Sequence, residues 1–196
     1  MIYTKLLLAF TLITNLLFGQ NLPTIINQTE FSIGKSIQFK STILDENREL
    51  NIYLPSSYAT HSTKKYPVIY LLDGSKDEDF IHVAGIVQFG SFSWINMIPE
   101  SIVVGIGNVD RKRDFTYPSQ SNLDQEEFPT AGHSGNFIHF IENELQPLID
   151  STYRTTPNKT IIGQSLGGLL ATEILYKNEI RYHSFRKWSW WLCNCN

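Results

Sequence analysis

The sequence predicts an α/β fold: a doubly wound, mostly parallel sheet prefaced by an antiparallel hairpin. Two observations carry the prediction. The runs YPVIYLLDG (Tyr66–Gly74), SIVVGIG (Ser101–Gly107) and KTIIG (159–163) are short and largely apolar, as strands covered on both faces are. Segments of helical period alternate with them, the pattern that right-handed crossovers wind into a parallel sheet.

The elements follow in order. From Phe31 to Pro55 the residues alternate around Ile37, Phe39 and Ile43, turn at Asp45-Glu46-Asn47, and alternate again through Leu50, Ile52 and Leu54, which predicts the hairpin. After the strand at Tyr66–Gly74, residues 77–88 predict a helix with acids in its first turn and Phe80, Val83, Ala84 and Val87 on its apolar face. The strand at Ser101–Gly107 leads into a polar segment, residues 108–135, too long for a plain connection and therefore a candidate functional loop. Residues 134–150 predict a helix whose broad face carries Phe137, Ile138, Ile141, Leu145, Leu148 and Ile149. The KTIIG strand and a helix over 166–178 complete the pattern, with no linker, repeat or low-complexity tract.

The chain of 196 residues is 42% hydrophobic and 18% charged, an ordinary globular balance with length enough for one domain. A net charge of −3 supplies no basic field for nucleic acid, so the expected partner is a small molecule. The opening MIYTKLLLAFTLITNLLFGQ has one basic residue, Lys5, then an apolar run from Leu6 to Phe18, and reads as a signal peptide over residues 1–20 that directs an exported domain, 21–196, cleaved near Gly19 or Gln20. As a helix that run spans about 20 Å, short of the roughly 30 Å hydrocarbon core, so no stable membrane anchor is expected. The cysteines, Cys193 and Cys195, are one residue apart and lack further ligands at a metal-site spacing, and no metal is expected.

Gly163-Gln164-Ser165-Leu166-Gly167 is a G-x-S-x-G pattern placed between a predicted strand and a predicted helix. A sharp corner there lifts the serine oxygen above the sheet, the glycines tolerate close backbone approach, and the Leu166 amide points to where an oxyanion would develop. The other reading of the pattern is a glycine-rich turn with a serine helix cap. A second oxyanion donor is expected from the turn after the earlier strand, where Asp73, Gly74 and Ser75 reach the same sheet edge; Gly74 could equally serve only as a turn former.

YPVIYLLDG, SIVVGIGNVDRKRDFTYP, FIHFIENELQPLIDSTYRT and IIGQSLGG, in this order, resemble the Putative esterase family of α/β-hydrolases, and within it the branch of enterochelin- and bacillibactin-type siderophore esterases. The resemblance runs from about Phe31 to Lys177. It implies a serine esterase acting on an acyl or siderophore lactone ester without cofactor, with Ser165 as nucleophile and the backbone amides of Leu166 and of the Gly74–Ser75 turn as oxyanion donors. It also places Arg111 and Arg113 by the mouth of the site, where guanidinium groups suit the paired oxygens of an anionic substrate. Solvated or structurally paired arginines are the alternative.

Members of the family carry an acid and a histidine after the elbow helix, in the chain order Ser, acid, His. After Ser165 this sequence offers Glu173, Glu179 and His183. Glu173 lies eight residues into the helix, about 12 Å along an axis leading away from the serine. His183 would follow a chain that returns to the opposite sheet edge. Upstream, His133 precedes a helix and so belongs to the catalytic edge, whereas His61, His82 and His139 read as surface or packing residues. The last stretch, EIRYHSFRKWSWWLCNCN, has no Val and, after Ile180, no Ile, so the expectation is a truncated hydrolase fold without its later strands and with KTIIG at or near an open edge. Weak or absent activity and self-association through that edge follow as expectations. A non-catalytic ligand-binding remnant and an acyltransferase are the alternatives to the esterase.

Overall fold

The computed structural model describes residues 22–181 and 189–193, with the side chains of residues 22–177. The predicted signal peptide, His183 and Cys195 lie outside the described residues, as does the side chain of Glu179. Of the described residues, 32–181 and 189–193 belong to one compact unit and 22–31 to a second. Of the second, residues 22–31 have neither helix nor strand and are exposed.

The first unit contains a six-stranded sheet in the order β1-β2-β4-β3-β5-β6. β1 (Lys35–Ser41) and β2 (Glu46–Tyr53) pair antiparallel, and β2 pairs antiparallel with β4 (Ile102–Ile106). β4, β3 (Tyr66–Leu71), β5 (Thr155–Gln164) and β6 (Ser189–Cys193) are mutually parallel. This is the doubly wound, mostly parallel sheet with an antiparallel hairpin that the apolar runs predict.

One strand follows KTIIG among the described residues, which leaves KTIIG next to the outer strand, near the edge as expected. Thr160 to Gln164 of β5 pair in parallel with Ser189 to Cys193, so β6 and not β5 is the outer strand among the described residues. A strand without Val or Ile forms here because tryptophan, present at Trp190 and Trp191, fits a pleated surface as well as β-branched residues do.

Alternate residues of the central strands build two cores. Leu50, Ile52, Tyr66, Val68, Tyr70, Leu72, Ile102, Val104, Ile106 and Ile161 meet Phe115, Phe137, Phe140, Leu145, Ile149, Leu170 and Ile174 from the helices on one face. On the other, Tyr53, Leu71 and Val103 meet Phe80, Ala84 and Val87 of α2 (Phe80–Gly90). The short α1 (Ser57–Thr60) precedes β3.

Three boundaries differ from expectation. The hairpin turns at residues 42–45 rather than at Asp45-Glu46-Asn47, because Ser41 Oγ accepts from Leu44 N at 3.0 Å and Glu144 accepts from Thr42 N and Oγ1 at 2.7 and 2.6 Å, which closes the turn early. α2 starts at Phe80 because the preceding acids form a turn in which Glu78 N donates to Ser75 O and Asp79 N to Asp73 O. The helix predicted over 134–150 runs as α5 (Ser134–Phe140), a π-helical turn (Ile141–Leu145) and α6 (Gln146–Thr152). Pro147 supplies the reason: it has no N–H to donate to residue 143, and its ring crowds that carbonyl, so the helix widens ahead of it. The polar segment also contains two short helices, α3 (Arg111–Phe115) and α4 (Asn122–Glu127).

Tyr70 carries a test of the core. Its ring is fully buried on β3, and its hydroxyl has no hydrogen-bond partner among the described residues. Burial, then the charge of Asp150, push its ionisation up from the ordinary phenol range. Tyr70→Phe removes an unmet polar group while keeping the ring, so chemical denaturation is expected to show unchanged stability or a gain of up to about 1 kcal/mol. A loss above about 1 kcal/mol would show that the hydroxyl is satisfied.

Candidate active site

Ser165 stands at the joint between β5, which ends at Gln164, and α7 (Leu166–Arg181). No residue intervenes on either side, so the chain must reverse within the serine itself, which takes φ 53°, a left-handed value that costs a non-glycine residue about 1 kcal/mol or more. The turn is tight enough that a Cβ on Gly163 would sit 2.6 Å from the carbonyl carbon of Gly167. Ser165 is exposed, its carbonyl accepts from Leu169 N at 3.0 Å, and the Leu166 N–H, in the first turn of α7, has no partner within the helix. The corner therefore presents a hydroxyl, a free-ended amide and the positive end of a sixteen-residue helix together.

The facing wall comes from the turn after β3. Asp73 also has a left-handed φ, 55°, and is buried. The Gly74 N–H donates to Ile106 O at 3.0 Å, while Gly74 O accepts from the buried Asn51 side chain at 2.9 Å. Gly74 as an oxyanion donor is thereby corrected: its amide closes the sheet between β3 and β4. Ser75, one residue on, is half-buried and is the remaining candidate amide of that turn.

Arg111 bridges the two walls. Its Nε and Nη2 donate to Asp73 Oδ1 and Oδ2 at 2.6 and 2.8 Å, a bidentate pair, and Nη2 reaches Gln164 O at 3.3 Å. Hydrogen bonding to Asp73 holds its ionisation above the usual guanidinium range. Asn108 adds a bond to Asp73 Oδ1 at 2.8 Å, and Gln164 Nε2 donates to Asp79 at 2.9 Å. Arg113 points the other way, with Nε on Asp114 Oδ1 at 2.8 Å and Nη1 and Nη2 on Glu46 at 2.9 and 2.6 Å; bonds to Asp114 and then Glu46 raise its ionisation. Both arginines named as candidate substrate contacts are structurally paired here. Asp110 caps α3 by accepting from Arg113 N at 3.0 Å, which keeps its carboxyl below the usual range.

Among the described residues no imidazole or carboxylate hydrogen-bonds the Ser165 hydroxyl. Glu173 instead accepts from Ser134 Oγ at 3.0 Å and from Lys177, tying α7 to α5. His133 precedes α5, its N–H on Arg113 O at 2.9 Å, and its side chain lines two cavities. One, of about 150 Å³, is shared with Ile43, Leu44, Arg113, Asp114 and Asn136. The other, of about 600 Å³, lies within residues 116–133 and has Tyr117, Gln125 and Phe128 among its walls. His82 is exposed on α2, His61 meets Thr60 and His139 meets Asn143. Among the described residues no three His, Cys, Asp or Glu side chains are grouped to hold a metal ion.

Asp73, Asn51, Asn108 and Gln164 build this site and escaped the sequence reading as bracing residues. The signal available was the position of Asp73 and Asn108 at the carboxyl ends of two parallel strands, where ligand sites of such sheets form.

A parallel sheet with a serine in a left-handed strand-to-helix corner defines an α/β-hydrolase type of protein. Residues 41–192 match the family described as "Putative esterase", and the chain belongs to that family. It is 35% identical over 154 residues to the ferri-bacillibactin esterase BesA of Bacillus subtilis (strain 168), a match covering 72% of this chain and 53% of that protein. Among solved structures it is similar to an IroE-like serine hydrolase from Shewanella oneidensis, at TM-score 0.66 and 39% identity over 74% of this chain and 46% of the other. It is also similar to the BES protein from Bacillus cereus, at TM-score 0.65 and 29% identity, covering 81% and 62%. The chain spans about half the length of the curated relatives that it matches.

Proposed function

We propose that this chain is a serine esterase-type hydrolase of carboxylic esters, with Ser165 as its nucleophile. The observation that carries the reading is the strained serine corner at the carboxyl edge of the sheet, opposite an amide-bearing turn. In the reaction Ser165 Oγ attacks the ester carbonyl as its proton passes to a base. The carbonyl oxygen gains the electron pair and is held by the N–H groups of Leu166 and Ser75; the C=O bond then re-forms as the leaving alkoxide takes the proton back from that base, and water, passing a proton to the base, releases the acyl group as an acid while Ser165 regains its proton. Each such amide contributes on the order of 10²–10³ in rate. Arg111 acts here on the protein, holding the two walls together through Asp73 and Gln164 O.

The names of relatives, a ferri-bacillibactin esterase and an IroE-like serine hydrolase, support a small-molecule substrate and a siderophore lactone in particular. The apolar run from Leu6 to Phe18 supports export before the ester is met. Because no described imidazole meets Ser165 Oγ, turnover by this chain is expected to be slow. The same observation favours a second reading, ligand binding without hydrolysis.

Incubation with a fluorophosphonate probe and a short-chain nitrophenyl ester separates the two. Covalent labelling at Ser165, lost together with hydrolysis in Ser165→Ala, supports the esterase, and that substitution removes at least about 10³-fold of any turnover. An unlabelled protein whose melting temperature still rises with ligand, in the parent and in Ser165→Ala alike, establishes the binding role instead.

A further inference from the structure

Arg48 is a charged residue inside the core. Its side chain is 0% exposed on β2, its Nη1 donates to Glu46 Oε1 at 2.8 Å and Asp114 Oδ2 at 2.9 Å, and its guanidinium carbon lies 5.0 and 5.6 Å from the ring centres of Phe137 and Phe140. Nε and Nη2 have no hydrogen-bond partner among the described residues. Asp114, on α3, is 2% exposed at its side chain, and Arg113 takes the remaining oxygens of Asp114 and Glu46. Two arginines and two carboxylates thus close a ring between β2 and α3.

Such a ring is a poor way to gain stability, since a buried ion pair of this kind is commonly matched or bettered by apolar residues of similar volume. What it provides is direction. α3 has five residues, too few to hold its own orientation, and each residue of a helix is turned about 100° from the last. Arg111 lies three residues before Asp114, on the same helix face, and it alone among the α3 side chains reaches Asp73 and the Gln164 carbonyl beside Ser165. Rotation of α3 by one residue would carry Arg111 off both walls.

We propose that Arg48 and Asp114 are positioning residues for the serine corner: their buried pair sets the rotation of α3, and through Arg111 the placement of Gln164 and Ser165. As a statement about catalysis this rests on the proposed role of Ser165, whereas as a statement about geometry it does not.

The test compares the parent chain with Asp114→Asn and with the apolar pair Arg48→Met plus Asp114→Leu, by amide hydrogen exchange of the peptide covering residues 161–170 and by melting temperature. The apolar pair is expected to melt within about 5 °C of the parent, because matched apolar residues replace the ions. Exchange across Gln164–Leu166 is nevertheless expected to rise at least tenfold in both variants, and any Ser165 labelling rate to fall at least tenfold. Faster exchange confined to α3 and β2, with the corner unchanged, would overturn the proposal and leave the ring a structural plug. Should the apolar pair fail to fold, Arg113→Gln decides, since it removes only the part-exposed arm of the ring: a threefold rise at the corner supports positioning and no rise overturns it. Absence of labelling in the parent chain would count against the esterase reading alone, because the exchange comparison stands without it.

Discussion

Gly163→Ala is expected to destabilise the fold by about 3 kcal/mol and to abolish covalent labelling of Ser165. The added methyl would lie 2.6 Å from the Gly167 carbonyl carbon, 2.7 Å from its oxygen and 2.9 Å from Leu72 Cδ1. The first two atoms are backbone at the start of α7, so relief requires moving the helix off the strand and the serine with it. Gly167→Ala provides the contrast. Its methyl would come no closer than 3.3 Å, to Asp73 Oδ2, and alanine is the better helix former, so a change within about 1 kcal/mol is expected. Denaturant melts of both variants check the ordering, and equal losses would mean that the corner is less tight than described.

Gly74→Ala is expected to cost more than about 3 kcal/mol, the larger of the two losses. A methyl at Gly74 would stand 2.3 Å from Gly105 Cα, 2.4 Å from Ile106 N and 2.6 Å from Gly105 C, and these three nearest atoms are the main chain of β4. The same displacement would break the Gly74 N–H bond to Ile106 O and the Asn51 bond to Gly74 O, two of the contacts that hold the turn facing the serine. The variant is therefore expected to lose any esterase activity even where enough folded protein remains to assay. Gly85→Ala, on the exposed side of α2 with nothing within 4 Å, is the control and should be neutral or stabilising by up to about 1 kcal/mol. A Gly74→Ala protein as stable as the Gly85→Ala control would refute the close approach of the two strands.

The contrast among these glycines shows why the site was only partly legible. G-x-S-x-G is a local pattern, and the corner it specifies depends on residues adjacent in the chain, so the placement of Ser165 and of Leu166 followed from the sequence. The part played by Gly74 did not, because whether its amide faces a substrate or a strand depends on Ile106, thirty-two residues away and brought alongside only when β3 and β4 pair. Arg111 and Arg113 make the same point. Composition recommends both for an anion, yet Asp73, in the turn after β3, and Glu46, on β2, come from distant parts of the chain and, with the neighbouring Asp114, occupy their donors.

Helix and strand identities were readable for the same reason that the corner was: burial on both faces writes continuous apolar runs, and burial on one face writes a helical period. β6 was not, since its tryptophans carry no period and it exists as a strand through pairing with β5. By itself the sequence determined the alternation of strand and helix and the position of the serine at a strand-to-helix joint, because both are set by neighbours within a few residues. Only the tertiary structure decided which amides, carboxylates and arginines surround that serine, because hydrogen bonds between distant segments form or fail according to where the sheet brings the backbone together.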